Sequence, residues 1–93
     1  MSVYRIKLSQ NAERQFDEWI ASGNIAVLNK IARLLDELEN HPMTGTGKPE
    51  MLKGNLRGCW SRRITKADRL VYHIDEDIVV VDILSLRGHY GDK

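Results

Sequence analysis

The first half of the chain changes from a period of two to a helical period, which predicts a strand followed by two helices. Residues 3–8 alternate apolar and polar side chains, as a half-buried strand does. Ser9 can cap a first helix, Gly23 can end it, and Asn24 can cap a second. The apolar stripe of the second helix consists of Val27, Leu28, Ile31, Leu34, Leu35 and Leu38. Such a stripe faces a core or a partner, so the helices are expected to pair and to pack on a sheet.

The second half of the chain combines a loop with several short strand signals. Residues 40–49 are rich in proline and glycine and have no regular period, which is typical of a loop. The strand-like segments that follow are Met51 to Lys53, Cys59 to Ile64, Leu70 to Ile74 and Ile78 to Leu86. Their connections are too short for crossover helices, so the sheet should be mainly antiparallel. The last segment is apolar on both alternations except at Asp82, which predicts a central strand buried on both faces.

These elements predict one α+β domain over residues 1–93, with an N-terminal strand and a helical pair packed on a mainly antiparallel sheet. A chain of 93 residues, 42% hydrophobic and 29% charged, has the composition of a soluble globular domain. The single cysteine, Cys59, excludes an internal disulfide. No signal peptide is evident, and the apolar run at residues 78–81 is far too short to span a bilayer. A cytoplasmic protein is expected.

Charge is unevenly distributed along the chain, although the net charge is only +1. Residues 42–72 hold seven Lys/Arg and two Asp/Glu, a surplus of +5, whereas residues 1–41 carry −1 and residues 73–93 carry −3. A cationic segment of this kind is typical of a phosphate-binding surface. A solvated sheet face would have the same composition, so charge alone leaves both interpretations open.

The predicted hairpin around residues 65–68 provides a more specific indication of anion binding. Five residues separate Arg63 from Arg69, so the two arginines share a face if they pair directly across the hairpin. Like charges set opposite each other are unfavourable unless an anion lies between them, and guanidinium groups bind phosphate oxygens bidentately. In the alternatives, another register separates the arginines or Asp68 neutralises one of them.

Two further candidates lie outside the hairpin. Glu50 follows the loop closed by Pro49, and His89 and Tyr90 follow the last predicted strand. The histidines have no zinc-ligand spacing to one another or to Cys59, so no metal or other cofactor is expected. Metal-free RNA cleavage needs a base, an acid and cations, and a carboxylate, a histidine and arginines can supply them.

The order and spacing of these residues resemble those of a known toxin family. The motifs are Gly45-Thr46-Gly47-Lys48-Pro49-Glu50-Met51-Leu52-Lys53, Leu56, Gly58-Cys59-Trp60-Ser61-Arg62-Arg63-Ile64, Asp68-Arg69-Leu70-Val71-Tyr72 and His89-Tyr90. Together they resemble the YoeB branch of the RelE toxin superfamily, in residue detail over roughly the second half of the chain. The first half agrees in the arrangement of its elements.

The resemblance implies an endoribonuclease that cleaves mRNA, typically in the ribosomal A site, on a microbial-ribonuclease-like sheet. By position, Glu50 would be the general base, His89 the general acid, and Arg69 the residue that stabilises the phosphorane. The phosphate- and substrate-binding residues would be Lys53, Arg63 and Tyr90. The resemblance also implies a cognate DNA-binding antitoxin, the mRNA and the ribosome as partners, often a toxin dimer, and no membrane association.

Two departures and two alternatives accompany this prediction. Cys59 stands where the family often has an aromatic residue, which we interpret as a packing difference, and residues 91–93 extend past His89 and Tyr90. ParE-like toxins share the fold but poison DNA gyrase, and they lack this set of Glu, Arg and His-Tyr residues. A non-catalytic module whose basic hairpin docks on RNA or on an acidic protein is the second alternative.

Overall fold

The part of the chain that the structure describes forms two helices and a five-stranded sheet with the strand order β1-β5-β4-β3-β2. The computed structural model describes residues 3–84. Its elements are β1 (Arg5–Leu8), α1 (Gln10–Ser22), α2 (Ile25–Leu38), β2 (Glu50–Met51), a 3-10 turn (Gly54–Leu56), β3 (Trp60–Arg63), β4 (Arg69–Asp75) and β5 (Ile78–Ile83). The predicted α+β class is confirmed. Neither helix in this part of the chain is long and apolar enough to cross a membrane.

The helix boundaries follow from local capping interactions. The Ser9 side chain accepts a hydrogen bond from the Ala12 amide at 3.1 Å and donates to the Asp82 carbonyl at 3.0 Å, so it caps α1 and ties it to β5. Gly23 ends α1 in the left-handed conformation, with φ 72°. The Asn24 side chain accepts from the Val27 amide at 3.2 Å and begins α2. The predicted roles of Ser9, Gly23 and Asn24 are therefore confirmed.

The sheet is antiparallel except where the N-terminal strand joins it. Strands β2 to β5 form successive antiparallel pairs, whereas β1 runs parallel to β5. The sequence prediction contained no partner for β1, because that pairing joins segments about seventy residues apart. The strand predicted at residues 3–8 begins at Arg5, and the one predicted at residues 51–53 is shifted to Glu50–Met51.

The hydrophobic core lies between the helices and one face of the sheet, which we call the helix face. Its buried members are Ala12, Val27, Ile31, Leu34, Leu38, Ile64, Leu70, Tyr72, Val79, Val81 and Leu84. Along β5 the burial alternates: Val79 and Val81 are fully buried, whereas Ile78 and Val80 are half-buried. The prediction that this strand is buried on both faces is therefore wrong, because α1 and α2 pack on the same side of the sheet.

Candidate active site

Arg63 and Arg69 lie directly opposite each other on β3 and β4. Residues paired in this way have Cβ atoms about 4.5–5.5 Å apart and point to the same face, here the face opposite the helices, which we call the open face. Arg63 is exposed and Arg69 is half-buried. Within residues 3–84, neither guanidinium lies within 4.0 Å of a carboxylate oxygen. Of the registers that the sequence left open, the structure has the one in which Arg63 pairs directly with Arg69.

The turn between the two arginines holds that register. The Thr65 hydroxyl donates to the Asp68 carboxylate at 2.7 Å and accepts from the amides of Ala67 and Asp68 at 3.1 and 3.0 Å. The Ile64 amide donates to the Asp68 carbonyl at 2.9 Å and closes the hairpin. Asp68 thus shapes the turn through both its carboxylate and its carbonyl oxygen.

Glu50 reaches the open face from the edge strand. It pairs with Ser61 of β3 and is exposed, so it is a diagonal neighbour of Arg63 at about 7–8 Å between Cα atoms. Lys53 is exposed and lies just past β2, at the start of the 3-10 turn. The structure thus brings Glu50, Arg63 and Arg69 to one face, with Lys53 beyond the end of the strand. His89 and Tyr90, the other predicted site residues, lie outside the described residues.

Arg62 behaves quite differently from its neighbour Arg63, because it points to the helix face and is fully buried. Its Nε donates to the Tyr72 hydroxyl at 3.3 Å, and its Nη1 forms a salt bridge with Glu37 at 2.9 Å. The remaining contacts are to loop carbonyls: Nη1 to Thr46 at 3.3 Å, and Nη2 to His41 at 2.7 Å and Thr44 at 2.6 Å. Since this arginine is internal, the cationic surplus of residues 42–72 overstates the charge presented to solvent.

Glu37 and Tyr72 complete this internal network. Burial alone would raise the pKa of Glu37, but hydrogen bonds from the Thr46 hydroxyl and amide, at 2.6 and 2.8 Å, and the charge of Arg62 lower it below its usual value. Burial raises the pKa of Tyr72, although Arg62 opposes the shift. The Tyr72 hydroxyl donates to the Pro42 carbonyl, so helix α2, strand β4 and the loop are all joined through one guanidinium.

The loop glycines are required by this close packing. Gly45 has φ 119°, and a Cβ there would lie 2.5 Å from Glu37 Oε1. Gly47 has φ 85°, and a Cβ there would lie 3.0 Å from the Arg63 carbonyl oxygen. The Gly47 carbonyl accepts from the Arg63 amide at 2.8 Å, so the loop is bonded to β3 immediately before β2 begins.

Sequence reasoning missed Arg62, Glu37 and Tyr72 as contributors to the site. One signal could have found them: the strand alternation places Arg62 on the same face as Trp60 and Ile64, and a charge on a core face needs a buried partner. The partner's identity depends on tertiary contacts, because Glu37 lies 25 residues away.

Cys59 and Ser61 also lie close to the predicted site residues. Burial and the negative charge of Asp82 raise the pKa of the Cys59 thiol, so it is held in its neutral form and is half-buried. This agrees with a packing role. Ser61 is fully buried, and its hydroxyl has no hydrogen-bond partner among residues 3–84.

Comparison with known proteins finds relatives that match most of the chain. Residues 9–90 match the sequence model described as "YoeB-like toxin of bacterial type II toxin-antitoxin system". Toxin YoeB of Streptomyces coelicolor is 40% identical over 86 residues, which are 92% of this chain and 99% of that protein. The YoeB/ParE toxin from Agrobacterium tumefaciens has a TM-score of 0.81 at 31% identity, covering 92% of this chain and 99% of that one. The YoeB dimer from Staphylococcus aureus has a TM-score of 0.76 at 33% identity, covering 96% of this chain and 100% of that one. The YoeB-YefM complex from Staphylococcus aureus has a TM-score of 0.74 at 35% identity, covering 94% of this chain and 98% of that one.

The two-helix fold and the matches over most of the chain define a toxin of a bacterial type II toxin–antitoxin system. Within that class, the chain belongs to the YoeB family. The predicted family is thereby confirmed. The sequence model that matches describes YoeB-like toxins, not the ParE-like toxins of the alternative.

Proposed function

We propose that this toxin is a ribosome-dependent mRNA endoribonuclease that cleaves the RNA phosphodiester by metal-free general acid–base catalysis and so inhibits translation. The observation that carries the proposal is the register of the sheet. It sets a carboxylate, Glu50, diagonally beside Arg63, which pairs with Arg69 on the next strand, and neither guanidinium lies within 4.0 Å of a carboxylate oxygen of residues 3–84. Two opposed cations at one site favour an anionic ligand between them, and a phosphate group has the geometry to accept from both.

In this proposal Glu50 removes the proton from the 2′-hydroxyl, which attacks the adjacent phosphorus. Arg69 stabilises the negative charge that develops on the phosphorane oxygens, and Arg63 and Lys53 hold phosphate groups. His89 protonates the departing 5′-oxygen, and Tyr90 orients the nucleotide. The products are a 2′,3′-cyclic phosphate and a free 5′-hydroxyl, so the proton lost at one oxygen is balanced by the proton gained at the other.

The partners proposed here are the mRNA, the ribosome and a neutralising antitoxin that binds DNA, and the site of action is the cytoplasm. The YoeB-YefM complex and the YoeB dimer of Staphylococcus aureus support an antitoxin partner and a toxin dimer by analogy.

The decisive experiment maps 5′ ends on a defined message in a reconstituted translation system. Wild-type toxin, Glu50→Gln, His89→Gln and the exposed control Asp17→Asn are compared with and without ribosomes. New ends with the wild type and with Asp17→Asn, greatly reduced in number in Glu50→Gln and His89→Gln, are the expected result. If the same ends formed on free RNA, cleavage would not depend on the ribosome, although the proposed chemistry would stand.

Two outcomes would contradict the proposal. An intact message together with growth arrest in cells would indicate a non-nucleolytic target. Cleavage that is unchanged by Glu50→Gln and His89→Gln would indicate that neither group is the base or the acid. The cleavage rate should have a bell-shaped pH dependence, because the base Glu50 must be deprotonated and the acid His89 protonated. Where no ribosomal step limits the rate, a flat pH profile would contradict the assignment of Glu50 and His89.

A further inference from the structure

The loop that leads to Glu50 is held from inside the protein by Arg62. A buried arginine is tolerated only when its donors are satisfied, and all five of its hydrogen-bonding positions have acceptors here. Three of those acceptors are backbone carbonyls of the loop, at His41, Thr44 and Thr46. Arg62 therefore spans the loop over six consecutive residues.

We propose that Arg62 is a positioning residue for the nuclease reaction: through residues 41–47 it fixes the register of β2 and thereby the place of Glu50 beside Arg63. The inference rests on the proposed function, since it assigns a role toward the proposed base. Arg62 itself faces the helices and does not touch the open face.

The shortness of β2 makes this external support necessary. The strand has two residues and lies at the edge of the sheet, so few ladder hydrogen bonds define its register. A slip of one residue would exchange the faces of Glu50 and Met51, because side chains alternate along a strand. The carboxylate would then point toward the helix face and Met51 toward the guanidinium groups.

The route from Arg62 to Glu50 is short. Thr46 is bonded to both Arg62 and Glu37, and the next residue, Gly47, accepts from the Arg63 amide at 2.8 Å. Two residues later the chain reaches Pro49, whose fixed φ leaves little freedom before Glu50. One dipeptide of β3 thus serves both parts of the site: Arg62 holds the loop on the helix face, and Arg63 faces the phosphate position on the open face.

A role in stability alone would also explain a buried, fully bonded arginine, so the test must separate the two roles. Four proteins form a double-mutant cycle: wild type, Arg62→Lys, Glu50→Gln and the double variant. Lysine keeps the charge but cannot reproduce the planar fork. The measured quantities are the single-turnover cleavage rate at saturating toxin and the toxin concentration that gives half of that rate. Val27→Ala, a core substitution far from the loop, serves as the control for lost stability.

We expect Arg62→Lys to lower the saturated rate by about 10²-fold, the scale of a 1 Å misplacement of a catalytic group, with little change in the half-saturating concentration. In the Glu50→Gln background the same substitution should have no further effect, because the group that it positions is already gone. Val27→Ala should leave the saturated rate unchanged at a temperature where both proteins remain folded. Additive losses in the cycle, or a wild-type rate in Arg62→Lys, would overturn the proposal.

Two further measurements apply if Arg62→Lys does not fold or if Glu50→Gln remains active. If Arg62→Lys does not fold, Glu37→Gln takes its place in the cycle, because it removes one anchor of the guanidinium. It should lower the saturated rate less than Arg62→Lys would, and it should have no further effect in the Glu50→Gln background. If Glu50→Gln cleaves like the wild type, the proposed base is wrong, and amide hydrogen exchange then tests the positioning by itself. Faster exchange of the Leu52 and Arg63 amides in Arg62→Lys, but not in Val27→Ala, would support it, and unchanged exchange would refute it.

Discussion

Arg63 and Arg69 face each other across an antiparallel hairpin, with no carboxylate of residues 3–84 within 4.0 Å of either guanidinium. The hairpin turn fixes this opposition, because the Thr65–Asp68 hydrogen bonds close it at the length that pairs the two arginines directly. Two like charges in this position oppose folding and favour the binding of an anion. The free protein therefore carries a small electrostatic cost at the place where the proposed substrate has its phosphate.

Replacing one of these arginines should stabilise the free toxin while weakening its function. We expect Arg63→Gln to raise the free energy of unfolding by about 0.2–1 kcal/mol in low salt, because the cross-strand repulsion is removed. In about 1 M salt, where the Debye length is roughly 3 Å, most of the gain should disappear. Urea unfolding at the two salt concentrations measures it. Arg57→Gln, an exposed arginine outside the strands, is the control, and an equal gain there would refute the explanation.

The same arginines should determine the salt dependence of RNA binding. For single-stranded RNA the logarithm of the binding constant falls with the logarithm of salt concentration, with a slope of about 0.7 per phosphate contact. In a Glu50→Gln background, where cleavage is too slow to degrade the RNA during the binding measurement, Arg63→Gln and Lys53→Gln should each reduce the slope by about 0.7. Lys66→Gln, in the exposed hairpin turn, should leave it unchanged. Equal slopes for all three variants would argue against phosphate contacts at Arg63 and Lys53.

The sequence predicts those parts of the site that depend on local interactions. Ser9, Gly23 and Asn24 could be assigned to helix ends because a cap needs only the residues beside it. The pairing of Arg63 with Arg69 was one of a small number of registers, since the turn between them is short. The roles proposed for Glu50 and His89 came from the resemblance, because no local pattern could have provided them.

The parts that could not be predicted depend on contacts between distant segments. The burial of Arg62 depends on Glu37 in α2 and on carbonyls of the loop, and no periodicity identifies those partners. The apolar run of β5 indicated burial on both faces, yet only alternate residues are fully buried, because both helices pack on one side. The parallel pairing of β1 with β5 has the same non-local origin.

A methyl group at Gly47 should damage the site more than one at Gly23, although both residues have positive φ. Each substitution should cost about 1–2 kcal/mol of stability, because L side chains disfavour the left-handed region. Only Gly47→Ala also presses on the β3 backbone, where its Cβ would lie 3.0 Å from the Arg63 carbonyl oxygen, whereas nothing lies within 4 Å at Gly23. We therefore expect cleavage to be lost in Gly47→Ala and retained in Gly23→Ala, as measured by end mapping below the melting temperature. Equal activities would show that the loop tolerates displacement there.

The Glu37 carboxylate should make the stability of the toxin depend on pH in the acidic range. Burial works against its charge, but hydrogen bonds from Thr46 and the charge of Arg62 lower its pKa in the folded state. In the unfolded chain the pKa returns to about 4.3, so the stabilisation is fully present above that pH. As the pH falls through the lowered folded pKa, the carboxylate is protonated in both states and the stabilisation is lost.

Glu37→Gln should therefore be less stable than the wild type at neutral pH, and the difference should shrink as the pH falls below about 4. Urea unfolding between neutral pH and about pH 3 measures it, with Asp36→Asn, an exposed neighbour on the same helix, as the control. A difference that stays constant over this range would mean that the amide replaces the carboxylate equally well in either protonation state. In that case the hydrogen-bond geometry around Arg62, rather than the charge of Glu37, would hold the loop in place.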